Sequence, residues 1–272
     1  MIIERFRYMV IGAHPDDCEK VGGICLKLIA LGHSVKFLTV TNGCSGHHEF
    51  MGGSITARRR KETERVSAMT GVEYEMLDNN DGYLVPGLAE RGMIIAAIRK
   101  WSPDFIFTHR PCDYHPDHRA ASALVQDSAY MLQVPNVCPT VPPLRRAPII
   151  AYMPDSFRRP YPFSPTMAFG IDDVYEDKMR MYHQYKSQFY EWLPWVDGIS
   201  GEVPEGDEER FEWLKHSEWA APFRNRKPDE WDCILRERYG ERAAEIKHAE
   251  AFELCEYGRV ASTETLNAMF PF

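Results

Sequence analysis

Two short stretches of the chain place histidines next to aspartates. The first is His14-Pro15-Asp16-Asp17, and the second is His115-Pro116-Asp117-His118. An imidazole and a carboxylate can together bind a divalent metal ion, and a second carboxylate beside the ion can act as a general base. Acidic residues are also common in the first turn of a helix, where they face the positive end of the helix dipole. The first stretch alone therefore leaves two interpretations open.

The elements around the two stretches decide between these interpretations. Each stretch lies between an apolar run that reads as a buried strand, Tyr8–Gly12 or Phe105–Thr108, and a predicted helix. A proline suits the first position of such a helix. In a doubly wound sheet the first and fourth strands are neighbours, and ligands bind in the crevice at their carboxyl ends. The sequence therefore predicts that both stretches face one crevice, which favours a metal site over coincidence.

The alternation of strands and helices predicts the fold class. We expect an α/β fold, with a Rossmann-like doubly wound, mostly parallel sheet and helices on both faces. A single domain, 1–272, would comprise a core over 1–155 and an irregular and helical extension over 156–272 that shapes the substrate pocket or an oligomer interface. The other predicted strands are Ser34–Val40, Val72–Leu77 and Ile149–Met153, and the predicted helices are 17–31, 55–70, 88–100, 116 to about 132, and 174–190.

Several local features limit the functions that this fold could serve. Gly22-Gly23 lies in the first helix without a GxGxxG pattern, and acids fill the preceding turn, so dinucleotide binding is excluded. We interpret the glycine pair as a site of close helix packing. His47-His48-Glu49 lies in a long polar loop and is interpreted as part of a solvated lid, not as a second metal site. The run Arg58-Arg59-Arg60 predicts a solvated helix face, with at least one arginine available to a ligand.

Composition narrows the class of protein further. The formal charge of −8 makes nucleic acid an unfavourable partner, because nucleic-acid binding requires a basic surface. The seven cysteines form no CxxC pair and are interpreted as reduced thiols of a cytoplasmic protein. No long apolar run follows the amino terminus, so we expect neither a signal peptide nor a membrane span.

At the level of motifs, the chain resembles the PIG-L, or LmbE-like, family of zinc-dependent N-deacetylases. The resemblance rests on Ala13-His14-Pro15-Asp16-Asp17 and His115-Pro116-Asp117-His118, with weaker support from Arg59-x-x-Glu62, Asp81-Gly82 and Ala249-Glu250-Ala251-Phe252. It implies that His14, Asp17 and His118 bind one Zn²⁺ ion per chain, although Fe²⁺ or another divalent metal is also compatible. It further implies that Asp16 is the general base. His115 would stabilise the oxyanion or protonate the amine, Asp117 would orient His115, and Arg59 and Asp81 would contact the sugar.

The function implied by this resemblance is removal of an acetyl group from an N-acetylated amino sugar or N-acetylglucosaminyl conjugate. The alternative is a metal-dependent hydratase or amidohydrolase that acts on a non-sugar substrate, since the family includes a hydratase. Tyr185-Lys186-Ser187-Gln188 departs from the family's His-x-Ser-Gln, and this difference concerns the substrate more than the chemistry. The expected partners are a small acetylated sugar and further copies of the chain, with no nucleic acid and no membrane.

Overall fold

Strands over residues 7–254 form one seven-stranded sheet in the computed structural model, which describes residues 5–272. The strands are β1 (Arg7–Gly12), β2 (Ser34–Thr41), β3 (Glu73–Asn79), β4 (Phe105–Thr108), β5 (Ile149–Tyr152), β6 (Met167–Gly170) and β7 (Ala249–Leu254). Their order across the sheet is β3-β2-β1-β4-β5-β7-β6. The first five strands run parallel, whereas β7 is antiparallel to both β5 and β6. The predicted fold class is confirmed, including the pairing of β1 with β4.

Helices cover both faces of the sheet. They are α1 (Gly22–Ala30), α2 (Gly53–Thr70), α3 (Leu88–Trp101), α4 (Pro116–Ser128), α5 (Tyr175–Gln184), α6 (Leu193–Val196), α7 (Asp207–His216), α8 (Asp232–Tyr239) and α9 (Thr263–Met269). Side chains alternate between the two faces of a strand, so β1 contributes Tyr8 and Val10 to one buried cluster and Met9 and Ile11 to the other. A strand buried on both faces explains the continuous apolar run in the sequence.

The first predicted helix is divided in the structure. Residues Cys18–Val21 form a 3-10 turn, and the α-helix begins only at Gly22. A Cβ atom on Gly23 would lie 2.8 Å from Cγ2 of Ile171, so the glycine permits close approach of the segment before α5. This contact agrees with the interpretation of the glycine pair as a packing site.

The predicted helix over 174–190 is shorter than expected. Helix α5 ends at Gln184, and a separate π-helical turn covers Gln188–Trp192. The buried carboxylate of Glu62 accepts hydrogen bonds from the backbone N–H of Ser187 (2.9 Å) and from its hydroxyl (2.7 Å). This anchor on α2 holds the chain between the two helical segments.

Other differences lie at the ends of elements and at the far edge of the sheet. Helix α4 ends at Ser128 instead of about residue 132, and a 3-10 turn, Met131–Gln133, follows. Strands β6 and β7 were not predicted from the sequence; their pairing is antiparallel, and their partners lie far away along the chain. Among residues 5–272, no helix has both the length and the apolar character that crossing a membrane requires.

Candidate metal centre and active site

The turn after β1 has a conformation that depends on two unusual backbone positions. Gly12 ends the strand, and a Cβ atom there would lie 2.6 Å from Cβ of Asp17. Asp16 has a φ of +107°, a left-handed value that non-glycine residues rarely adopt. The backbone N–H of His14 donates to Oδ2 of Asp17 at 2.7 Å, which closes the turn. A strained residue held by such contacts is typical of a functional site.

His14, Asp17 and His118 come together across the crevice between β1 and β4. Nδ1 of His14 lies 3.2 Å from Nε2 of His118 and 3.5 Å from Oδ2 of Asp17, and Nε2 of His118 lies 3.4 Å from Oδ1 of Asp17. A tetrahedral zinc ion with bonds of about 2.0–2.1 Å needs ligand atoms roughly 3.3 Å apart. The three side chains approach one another at about this spacing, with Oδ2 of Asp17 nearest to His14 and Oδ1 nearest to His118, and their donor atoms suit such an ion.

The charge around His14 also suits a cation. Burial by itself lowers the pKa of His14, but the carboxylates of Asp117, Asp17 and Asp81 raise this pKa well above its ordinary value. Nε2 of His14 lies 3.1 Å from Oδ1 of Asp81 and 3.1 Å from Oδ2 of Asp117. Carboxylates on one ring nitrogen orient the other nitrogen toward a metal, as commonly occurs around metal-binding histidines.

The position of Asp117 corrects one expectation. Its carboxylate does not orient His115; it accepts hydrogen bonds from the backbone N–H groups of Gly82 (2.7 Å) and Leu84 (3.2 Å) and contacts His14. The contact with His115 runs through the backbone, because the N–H of Asp117 donates to Nδ1 of His115 at 3.2 Å. His115 thus caps helix α4 with its own side chain. A neutral His115 that accepts at Nδ1 carries its proton on Nε2.

The pKa of His115 is lowered, first by burial and then by the positive charges of His14 and His118. The charged imidazolium that an Asp117 partner would have favoured is therefore disfavoured. His115 lines a small cavity beside the predicted metal ligands, where its Nε2–H can donate a hydrogen bond. This arrangement suits stabilisation of a developing negative charge better than donation of a proton.

Asp16 has the environment of a general base. Burial raises the pKa of Asp16 to about 7, the charge of Asp17 adds to this shift, and Arg59 opposes it. A carboxylate with a pKa near neutrality can both accept and return a proton at the working pH. Asp16 lies at the junction of two cavities, and its side chain helps to line both.

Arg59 and Asp81 line the smaller cavity, which has a volume of about 220 Å³. Arg59 is 2% exposed, and its Nη2 donates to the carbonyl oxygen of Gly46 (3.1 Å) and to Oε1 of Gln188. Its Nε and Nη1 are buried without a hydrogen-bond partner among the described residues. Asp81 contacts His14 through Oδ1 and accepts from the N–H of Ser45 (3.3 Å) through Oδ2. The guanidinium of Arg59 thus keeps two donors that no described residue accepts, at the wall of this cavity.

The loop that carries His47 corrects another expectation. His47 is buried, not solvated, and its Nε2 lies 2.9 Å from Oε2 of Glu191. Its Nδ1 accepts hydrogen bonds from the backbone of residues 49 and 50. The neighbouring ring of His48 stacks on Trp195, with centroids 4.9 Å apart. Arg58 pairs with Glu191 as well, so this loop is fastened to the turn at 188–192.

Two residues beside the predicted metal ligands were not singled out from the sequence. His109 directly follows β4; its Nε2 accepts from the N–H of Ala13 (3.1 Å) and lies 3.2 Å from Oδ2 of Asp17. Burial lowers the pKa of His109 to about 3, which keeps the ring neutral. Oδ1 of Asp113 lies 3.0 Å from Nδ1 of His118 and orients that ring. Both residues follow the predicted strand β4 closely, and this position at its carboxyl end is the signal in the sequence that could have identified them.

Residues 9–129 match the PIG-L family model, described as GlcNAc-PI de-N-acetylase. Over this segment the chain is similar to the PIG-L family. The matched segment contains both His-Pro-Asp stretches, with all the residues named above as metal ligands. The chain is accordingly an enzyme that hydrolyses amide bonds.

Solved structures resemble the chain over most of its length. One is N,N'-diacetylchitobiose deacetylase from Pyrococcus horikoshii, with 25% identity, a TM-score of 0.68, and coverage of 93% of this chain and 85% of that chain. Another is 4-carboxy-2-hydroxymuconate hydratase from Pseudomonas putida KT2440, with 18% identity, a TM-score of 0.69, and coverage of 95% and 99%. A third is the zinc-inhibited form of teicoplanin deacetylase, with 15% identity, a TM-score of 0.56, and coverage of 91% and 97%. The last two similarities concern the fold alone.

Proposed function

We propose that the protein is a metal-dependent hydrolase that removes the acetyl group from an N-acetylated amino sugar or N-acetylglucosaminyl conjugate. The observation that carries this proposal is the cluster of His14, Asp17 and His118, whose ring nitrogens and carboxylate oxygens approach one another pairwise to 3.2–3.5 Å. Beside it lies Asp16, where burial raises the pKa of the carboxyl group to about 7. The family match and the similarity to a diacetylchitobiose deacetylase support the same reaction.

His14, Asp17 and His118 would hold one Zn²⁺ ion, since two imidazoles and one carboxylate form a common ligand set of catalytic zinc. The same donors also accept Fe²⁺. When bound, such an ion polarises the amide carbonyl and lowers the pKa of a water molecule. Asp117 and Asp81 orient His14 for this role, and Asp113 orients His118.

Asp16 is the base in this reaction. It takes a proton from the water whose oxygen bonds to the carbonyl carbon, and His115 donates a hydrogen bond from Nε2 to the oxygen that becomes negative. When the carbon–nitrogen bond breaks, Asp16 returns the proton to the leaving nitrogen, so acetate and a free amine are released. Arg59 and Asp81 would hold the hydroxyl groups of the sugar in the smaller cavity.

Release of acetate tests this proposal directly. Metal-free protein would be supplied with one equivalent of Zn²⁺ or Fe²⁺ and assayed with N-acetylglucosamine, N,N'-diacetylchitobiose and N-acetyl amino acids. We expect hydrolysis of the sugars and its loss in Asp16→Asn with the metal retained. Hydrolysis of the N-acetyl amino acids alone would refute the proposal that the substrate is a sugar. Hydration of an unsaturated acid without release of acetate would refute the proposal that the enzyme is a deacetylase.

Two further parts of the proposal concern architecture. We propose that residues 1–155 form the core with the metal site and that 156–272 shape the substrate pocket, since Phe223 and Trp231 line the larger cavity. We also expect the chain to form a homo-oligomer. Analytical ultracentrifugation at micromolar concentration would measure its mass, and a monomer at all concentrations would contradict this expectation.

A further inference from the structure

Two cavities of different character meet at His14 and Asp16. The smaller, of about 220 Å³, contains the polar groups of Arg59 and Asp81. The larger, of about 520 Å³, shares these two residues and is otherwise lined mainly by different ones. The sugar contacts of the proposed function account for the smaller cavity and leave the larger one without an occupant.

The predicted metal ligands are distributed unequally between the cavities. His14 lines both, whereas Asp17 and His118 line only the larger one. An amide whose carbonyl carbon lies beside Asp16 has its amine substituent on one side of that carbon and its acyl substituent on the other. If the sugar occupies the smaller cavity, the acyl group points into the larger one.

Aromatic side chains from several parts of the chain line the larger cavity: Tyr114, Phe157, Tyr182, Phe189, Phe223 and Trp231. Polar and charged groups, among them Lys20, Asp155 and Arg226, complete the lining. A methylene group is close in size to a water molecule, which takes up roughly 30 Å³ in the liquid. A cavity of about 520 Å³ is therefore much larger than the methyl group of an acetyl, and its aromatic side chains offer an apolar surface to a longer chain.

We propose that this cavity is an acyl-binding site, and that the enzyme hydrolyses N-acyl amino sugars whose acyl chains are longer than acetyl. The inference rests on the proposed function, because it uses the sugar site to set the direction of the amide. It goes beyond that function by assigning the acyl specificity to residues in the carboxyl-terminal part of the chain, above all Phe223 and Trp231.

A series of acyl chain lengths tests this proposal. The values of kcat/KM would be measured for N-acetyl-, N-hexanoyl- and N-octanoylglucosamine with protein carrying one equivalent of zinc. Each buried methylene contributes roughly fourfold, the factor that corresponds to about 0.8 kcal/mol. Allowing for incomplete burial, we expect hexanoyl to exceed acetyl by at least ~10-fold. A steady fall with chain length, while the acetyl substrate is hydrolysed, would overturn the acyl site and leave the proposed function intact.

Binding without catalysis separates the two proposals. If no N-acyl sugar is hydrolysed, the proposed function fails. Calorimetry on metal-free protein can still compare the binding affinities of N-octanoylglucosamine and N-acetylglucosamine. Tighter binding of the octanoyl compound supports the cavity, and equal binding overturns it. The octyl glycoside of N-acetylglucosamine is the third ligand; if it gains affinity and the octanoyl amide does not, the cavity holds an aglycone and the proposal is wrong.

A blocking substitution locates the site. Ser156 is exposed and lines the larger cavity, whereas Ser164 is exposed on the same segment and does not line it. We expect Ser156→Trp to lower the hexanoyl-to-acetyl ratio of kcat/KM at least ~10-fold, because the indole takes up space that the chain needs. Ser164→Trp is the matched control and should leave the ratio unchanged. An unchanged ratio in Ser156→Trp, with the fold intact by circular dichroism, would overturn the assignment.

Discussion

The carboxylate of Asp117 could serve the site by orienting His115 or by orienting His14, and removing its charge tells these two roles apart. If it orients His115, its loss should reduce turnover and leave the affinity for the metal unchanged. In the structure it lies 3.1 Å from Nε2 of His14 and is fastened by the backbone N–H groups of Gly82 and Leu84. We therefore expect Asp117→Asn to weaken binding of the metal.

The magnitude follows from the contacts that the amide must break. Oδ2 of Asp117 accepts from both His14 and Gly82, and Oδ1 accepts from Leu84. Asparagine has one acceptor oxygen, so in either orientation its NH₂ group faces at least one N–H donor. Loss of such a supporting partner typically weakens metal binding by about 10- to 100-fold, which is roughly 1.4–2.7 kcal/mol.

Competition with a chelator of known zinc affinity measures this effect at constant pH. Asp113→Asn is the matched comparison, because its carboxylate lies 3.0 Å from the other histidine predicted to bind the metal, His118. We expect a similar loss of affinity. His115→Gln is the contrasting control and should keep the affinity while kcat falls. If Asp117→Asn bound zinc within threefold of the unmodified protein, the assignment of Asp117 to His14 would be wrong.

Four further predictions concern the base, the sugar site and the fold. Asp16→Asn should retain stoichiometric zinc by elemental analysis and lose at least ~10²-fold in kcat, the lower end of general-base contributions; a near-normal rate would contradict its role. Arg59→Lys should raise KM for the acetylated sugar by about tenfold or more, since lysine cannot supply the paired donors of a guanidinium. Lys178→Met leaves the fully buried Glu250 without its cation. Denaturant titrations should therefore show a free energy of unfolding lower by about 3–5 kcal/mol, and the double variant Lys178→Met/Glu250→Met should recover part of this loss. Burial lowers the pKa of His33, so on acidification this histidine takes up a proton in the unfolded chain at a higher pH than in the folded protein. The free energy of unfolding should therefore fall as pH drops below about 6.5, and His33→Gln should make this dependence on pH less steep.

Local patterns in the sequence were sufficient to predict the parallel part of the sheet and the residues nearest the crevice. Apolar runs and the prolines after them report burial and helix starts within a few residues, so β1 and β4 were predicted within one residue of their observed bounds. The order of strands in a doubly wound sheet then predicted that β1 and β4 are neighbours, and the structure confirms it. This pairing brings His14 and His118 within 3.2 Å of each other.

Tertiary structure decided the contacts that depend on residues far apart in the chain. The carboxylate of Asp117 faces His14 and not its neighbour His115, because the backbone N–H groups of Gly82 and Leu84 hold it there. No periodicity in a single chain reports which side-chain rotamer such distant donors select. The antiparallel addition of β7 beside β5 has the same origin, since about a hundred residues separate the two strands. The sequence by itself therefore determined the residue types at the site, whereas packing determined which carboxylate orients which histidine.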